Sequence, residues 1–338
     1  MQNKKRNFMH RWNLERKDET MNTSLTKNIP NRNGRSLRSK SDIPILLMLL
    51  PGIILLFLFS YLPMFGIVIA FKNINMRDGI LGSPWCGLQN FEYLFKSADA
   101  WLITRNTIGY NLVFIVVGTI LNVSVAILMS LMVSRRMSKA YQTVMLMPYF
   151  LSFVIVSYLV YAFLSMDNGF LNRNILPMLG LDPVNWYTEP KPWPLILCIV
   201  NFWKWTGYSS IVYLASISGI DTQLYEAADI DGANKWQQII HITLPSLKGL
   251  IIIQTIMSVG KILNSDFGMF YQVPMNSGAL YETTSTINTY VYNKMTSGGV
   301  RSLGMSSAAA FYQSVVGFVL VLVTNMIVNK IDPDSALF

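Results

Sequence analysis

The sequence predicts an all-α integral membrane protein with six transmembrane helices, and three observations carry that expectation. Of its 338 residues, 52% are hydrophobic and 13% charged, where a soluble domain carries roughly 25% charged residues. The apolar residues fall in six long runs, near 43–71, 107–133, 141–165, 193–218, 249–265 and 307–329. A bilayer core about 30 Å thick is crossed by about 20 mostly apolar residues in a helix, because lipid offers nothing to an unpaired backbone group. The basic residues are also shared unevenly among the segments that join those runs, which sets an orientation.

Residues 1–42 form a region of their own. They hold eleven Lys and Arg against the acids Glu15, Asp18, Glu19 and Asp42, which is +7 of the formal +9. A basic, polar stretch ahead of a first membrane helix is explained by a cytoplasmic tail drawn to anionic lipid. Nucleic acid is therefore not an expected partner. The Asn-, Arg- and Ser-rich composition predicts disorder over at least part of this tail. It is too long and polar to precede a cleaved signal sequence, and the run from Ile43 to Ala70 is too long to be the core of one. That run reads as a retained first span, with Pro51 and Pro63 permitting a kink or tilt.

With the N-terminus inside, the cytoplasmic segments hold 17 Lys and Arg: the eleven of the tail, then Arg135, Arg136, Lys139, Lys235, Lys248 and Lys330. The external segments are longer in total and hold 8, namely Lys72, Arg77, Lys96, Arg105, Arg173, Lys191, Lys294 and Arg301. Both termini are thus expected in the cytoplasm. Lys204 and Lys261 fall inside apolar runs, and the fifth run is the shortest. Cys86 and Cys198 fit no metal spacing, and a disulfide between them would need a match in membrane depth that their positions do not offer.

Residues 219–248, between the fourth and fifth runs, are too patterned for a simple polar turn. Asp221 is placed to cap a helix through Leu224, Tyr225, Glu226, Ala227 and Ala228. Gly232 suits a sharp break after Asp231. A second amphipathic stretch, Ala233 to Thr243, puts Trp236, Ile239, Ile240 and Thr243 on one face, and Pro245 is expected to end it. The prediction is a helix–turn–helix along the cytoplasmic surface.

The loop reads Glu226-Ala227-Ala228, three residues, Gly232 and Ala233, then after nine residues from the glycine Ile242-x-Leu244-Pro245. This pattern resembles the EAA loop of binding-protein-dependent ABC importer permeases. Fixed residue types at fixed offsets make the match specific; an amphipathic interfacial hairpin alone would not demand them. Ile239 departs from the family, in which many members carry an aromatic residue nearby. Looser similarity extends over residues 43–338. It includes Pro51-Gly52, Tyr61-Leu62-Pro63-Met64-Phe65-Gly66, Gly82-Ser83-Pro84-Trp85, Gly87-Leu88-Gln89-Asn90-Phe91, Arg105-Asn106-Thr107, Tyr281-Glu282-Thr283 and Thr289-Tyr290-Val291-Tyr292. These look like the LplB-like branch of permeases for oligosaccharides and polysaccharide fragments.

The resemblance implies a MetI-like permease domain over 43–338 in a bacterial plasma membrane, with carbohydrate as cargo. It implies that the 219–248 loop docks on an ATP-binding subunit through Glu226, Ala227, Ala228, Asp231, Gly232, Ala233, Ile242, Leu244 and Pro245. It implies four further partners: a second related permease, two ABC ATPase subunits that use ATP and Mg, and an extracellular solute-binding protein. No cofactor is expected on this chain. Gly260-Lys261 lacks the earlier glycine and the following Ser or Thr of a phosphate-binding loop. The only histidines are His10 and His241, which gives a metal site or histidine catalysis no basis.

Three other functions remain as alternatives. A permease of the same family could carry a non-sugar solute. A secondary transporter would favour ionisable residues deep in several spans, and a membrane transferase would need a cluster of acids or histidines; neither explains the EAA spacing. A candidate translocation path lies in the fourth run, where Asn201, Trp203, Lys204 and Tyr208 set aromatic rings beside polar groups. Lys204 there either faces the path or bonds to carbonyls of a neighbouring helix or to the partner permease.

Overall fold

The computed structural model describes residues 43–338 except 76, 98, 133, 298, 300, 334, 335 and 338, so the expectations for the 1–42 tail lie outside the described residues. The chain divides into two compact units between Met64 and Phe65. The first unit holds helix α1 (Ile43–Leu56) and a π-helical turn, Phe57–Tyr61; a 3-10 stretch, Leu62–Phe71, then runs across the boundary. Leu47–Phe71 is apolar and long enough to cross a membrane.

The second unit contains α2 (Gln89–Lys96), α3 (Ala100–Ser130), α4 (Arg135–Phe150), α5 (Phe153–Leu164), α6 (Trp193–Ser218), α7 (Thr222–Ile230) and α8 (Lys235–Gln238). It continues with α9 (Leu244–Val259), α10 (Phe267–Gln272), α11 (Ile287–Ser297) and α12 (Arg301–Ile331). Among the described residues there is no sheet, only one isolated antiparallel bridge between Lys72 and Trp85. Helix α3 packs along α6, α4 lies on α6, and α9 crosses α12. Gly207 lets α4 and α6 approach so closely that a Cβ there would stand 1.8 Å from the Met145 carbonyl oxygen.

Several boundaries differ from the expectation, each for a physical reason. The second span begins at Ala100 rather than 107. Asn106 near its start donates to the Glu282 and Ser285 carbonyls at 3.0 Å each, so its polar first turns are paired within the protein. The third run is not one straight helix but a bent pair, Arg136–Phe150 and Phe153–Leu164, that meet at 97°. The fifth starts early, because α8, a π turn (Ile239–Thr243) and α9 form one continuous helix, Lys235–Val259. Pro245 therefore does not end the surface helix.

The π turns explain why. Phe57–Tyr61, Leu171–Ile175 and Ile239–Thr243 each stop two residues before a proline: Pro63, Pro177 and Pro245. A proline cannot donate to the carbonyl four residues back and its ring crowds that group. Widening the preceding turn to i→i+5 bonding relieves the crowding without breaking the helix. The fifth helix then stops at Val259, so Lys261 sits in the turn beyond it.

Residues 266–306, expected as an external loop, are largely packed helix. Met269, Phe270, Val273 and Leu280 join Tyr110, Trp193 and Leu197 in one buried cluster. Lys72 is buried and donates to the Ile80 (3.0 Å) and Leu81 (2.7 Å) carbonyls, and Asn90 donates to those of Ala70 and Lys72. Both cysteines are free thiols.

Candidate functional site

Two features stand out: a cavity between helices and the hairpin at 221–243. The cavity holds about 770 Å³ and is walled by α3, α6 and the far end of α9 with the turn that follows. On α3 the lining residues Asn111, Ile115, Gly118 and Asn122 recur at helical spacing, as do Gln254 and Ser258 on α9, with Lys261 following in the turn beyond its end. From α6 come Asn201, Phe202, Trp205, Tyr208 and Tyr213. The surface is thus amides and hydroxyls interleaved with aromatic rings, with one lysine and one aspartate, Asp266. Asn122 Oδ1 is buried and meets no donor among the described residues.

The aromatic wall is set by the bend in the third run. Tyr149, at the end of α4, stacks on Tyr208 with centroids 4.3 Å apart and planes 7° apart, and meets Trp205 edge-on at 5.5 Å. A helix ending inside the bundle leaves its last carbonyls without partners, and at membrane depth each costs several kcal/mol. Lys204 supplies them. Buried at 4% exposure, it donates to Pro148 O at 3.1 Å, to Tyr149 O at 3.0 Å and to Leu151 O, while its Nζ lies 4.8 Å from the Phe153 ring centre. A cation also complements the negative end of the α4 dipole. Ser152 then caps α5 by accepting from Ile155 N–H.

Asn111 does the same for the turn beyond α9, donating to the Ile262 (2.9 Å) and Asn264 (3.0 Å) carbonyls. Asp266 caps α10, accepting from the Met269 N–H at 3.3 Å and from the Gly268 amide.

The hairpin closes by local chemistry. Asp221 accepts from Gln223 N–H at 2.9 Å to start α7. At the other end Ala233 N–H bonds Ala228 O (2.9 Å) and Gly232 N–H bonds Asp229 O (3.2 Å), the paired bonds of a Schellman ending. That ending needs a left-handed residue, and Gly232 has φ +77° with open space around its Cα. Asn234 and Gln237 form a reciprocal capping box at 2.9 and 2.8 Å. Asp229 ties the two helices: Gln238 donates to it at 2.5 Å and Lys235 at 3.2 Å. These bonds, Gln238 first, hold the Asp229 carboxyl below its ordinary value of 3.8. Tyr225 and Thr243 share a hydroxyl bond of 2.9 Å.

Of the residues singled out in the sequence, Glu226, Ala227, Asp231, Gly232 and Pro245 are exposed, Ala228, Ala233, Ile242 and Leu244 half-buried. No side chain bonds Glu226 among the described residues. Of the expected amphipathic face, Ile239 and Thr243 are buried but Trp236 is 69% exposed. Asn201 and Tyr208 line the cavity. Lys204 lies behind the wall, and Trp203 is half-exposed outside the lining. Asn111, Asn122, Gln254, Ser258 and Lys261 were not singled out as lining residues. Their signal was present as polar residues repeating at helical spacing within apolar runs.

The chain belongs to the family of binding-protein-dependent transport system inner membrane components, whose model matches residues 122–333. It is a multi-pass permease, a transport subunit with the MetI-like fold. It is 34% identical over 293 residues to the polygalacturonan/rhamnogalacturonan transport system permease protein YteP of Bacillus subtilis, covering 86% of this chain and 88% of that one. Protein LplB of Bacillus subtilis is 30% identical over 299 residues, 88% of this chain and 92% of its own. A chain of a bacterial alginate ABC transporter, solved with an alginate pentasaccharide-bound periplasmic protein, superposes with a TM-score of 0.76. It is 34% identical and covers 86% of this chain and 96% of its own.

Proposed function

We propose that this chain forms half of the translocation path of an ATP-driven importer for oligosaccharides. One observation carries this: the polar, aromatic cavity and the hairpin are joined by a single packed cluster. Tyr213 lines the cavity and packs with Val123, Ile127, Ile239 and Leu247, so the wall and the root of the hairpin form one body. Sugars offer C–H faces that stack on rings such as Trp205 and Tyr208, and hydroxyls that bond amides such as Asn111 and Asn201. The relatives' cargo, polygalacturonan or rhamnogalacturonan in one case and alginate in another, supports the same class. Asn201 and Tyr208 contact cargo, and Lys204 supports that wall from behind; Trp203, outside the lining, does not contact it.

An extracellular binding protein delivers the sugar, a second related permease completes the path, and two ABC ATPase subunits consume ATP and Mg²⁺. The exposed face of α7, with Glu226, Ala227 and the flexure at Gly232, docks on an ATPase, and Ile242, Leu244 and Pro245 carry its movement into α9. Two alanines keep the docking face slim, and Gly232 turns the chain away from it.

The test uses the assembled complex in lipid. Gly232→Val strains a left-handed position by about 1–3 kcal/mol, and Glu226→Lys reverses an exposed charge; neither position is buried. Both variants should insert and pair normally, yet lose most oligosaccharide uptake and most ATP hydrolysis stimulated by loaded binding protein. Near-wild-type values of both activities would remove the hairpin from the coupling role. Orientation follows from the charge asymmetry, with both termini and 219–248 inside. In a background lacking Cys86 and Cys198, cysteines at Asp78, Asn185 and Ser277, none of them buried, should react with an impermeant thiol reagent on intact cells, and one at Gln237 should not.

A further inference from the structure

The two charges on the cavity wall are unequally engaged. Asp266 is committed to the first turn of α10 through the Met269 and Gly268 amides. Lys204, buried behind the wall, is committed to three carbonyls. Lys261 is exposed to the cavity, and among the described residues no carboxylate lies within 4.0 Å of it and no side-chain hydrogen bond holds it. It closes the polar stripe Gln254–Ser258–Lys261, which directs it toward the same space as Trp205, Tyr208 and Asn201.

A lone ammonium beside a membrane helix is costly unless water or a counter-charge meets it, and such residues mark substrate pathways. A neutral sugar would bond to it as a dipole only; a carboxylate would complete the pair with a charge-assisted bond. We propose that the cavity is specific for acidic oligosaccharides, the Lys261 ammonium meeting a uronate carboxylate while the aromatic wall stacks on the sugar rings. This rests on the carbohydrate function proposed above and names the charge of its cargo.

The experiment reconstitutes the importer with its own binding protein, partner permease and ATPases in proteoliposomes. The probes are oligogalacturonates and alginate oligosaccharides, the methyl esters of both, and neutral malto- and xylo-oligosaccharides. The esters keep the sugar and remove the charge. We expect a uronate probe to enter about tenfold faster than its ester, in line with the strength of charged hydrogen bonds. Lys261→Met should lower uptake of the acid about tenfold more than uptake of the ester, so that the preference is lost, and Lys261→Arg should keep the preference. Lys261→Gln replaces the methionine variant if the latter does not assemble. Uptake of neutral probes without the acidic ones, or an unchanged acid-to-ester ratio in the variant, overturns the proposal while leaving carbohydrate import standing. Failure of every carbohydrate probe, with uptake of amino acids or peptides instead, overturns the carbohydrate function itself.

Discussion

The hairpin at 221–243 and the bend at 148–153 solve one problem in two places. Both reverse or break a helical chain sharply and must satisfy the backbone groups that the break exposes. At the hairpin, every cap comes from within a few residues: Asp221, Gly232, Asn234 and Gln237. At the bend the donor is Lys204, more than fifty residues away in sequence. Asn111 and Asn106 repeat that remote mode at Ile262–Asn264 and at Glu282–Ser285. The exposed hairpin is also open to water, which would substitute for a missing cap at small cost. Inside the bundle nothing substitutes, so the donor must be supplied by another helix, and the break and its donor are fixed together.

That difference orders the consequences of mutation. The largest expected effect is at Lys204. Lys204→Met leaves the Tyr149 and Leu151 carbonyls without a donor, while Pro148 O still accepts from the Leu151 N–H, so a few kcal/mol are at stake at about 1–3 kcal/mol per unmet group. The thermal midpoint of the purified complex should fall by roughly 5 °C, and uptake of all substrates should fall together. Lys204→Arg should recover part of the stability. A variant that kept full stability but lost transport of one sugar selectively would break the comparison and return Lys204 to the path.

Next comes Gly207, where packing rather than capping is at risk. Gly207→Ala forces α4 away from α6 because its methyl would overlap the Met145 carbonyl. A cost of about 1–3 kcal/mol is expected for such overpacking, read as a smaller fall in the same midpoint. If Tyr149 moves with α4, its stack on Tyr208 loosens, and uptake should fall more than stability does.

The smallest effect is expected at the hairpin's own caps. Asn234→Ala removes a capping box at a cost of about 0.5–2 kcal/mol, which water partly offsets. Stimulated ATP hydrolysis should fall modestly and the thermal midpoint hardly at all. The Asp229 tie gives a pH test. Its lowered pKa means that its contribution is complete above the ordinary value of 3.8 and is lost only as pH falls through the lowered one. Coupling between about pH 6 and 8 should therefore not change on account of Asp229.

The same division governs what could be read in advance. Asp221 as a cap, the break at Gly232 and the helices flanking it are properties of adjacent residues, and they were legible as spacing. The apolar runs were legible for the same reason, since lipid imposes a length on each. The break in the third run was not, because Pro148 marks a helix that could have kinked or continued, and its fate depends on a donor from α6. Pro245 misled in the opposite direction: a proline is a helix stop only if the preceding turn cannot widen, and at Ile239–Thr243 it did.

The sequence by itself determined the class of this protein: helices of membrane length and a surface loop of fixed residue spacing. Both are one-dimensional quantities, set by hydrophobic run length and by groups within one or two helical turns. The tertiary structure alone decided where the helices end and which polar residues share a cavity. Asn111, Asn201 and Lys261 lie on three separate segments and meet only because α3, α6 and α9 pack around one space. Lys204 and Lys261 look alike in sequence, each a lysine in an apolar run. Packing buries the first against open carbonyls and leaves the second facing the cavity without a counter-charge among the described residues, because only the arrangement of neighbouring helices decides which backbone groups remain unpaired.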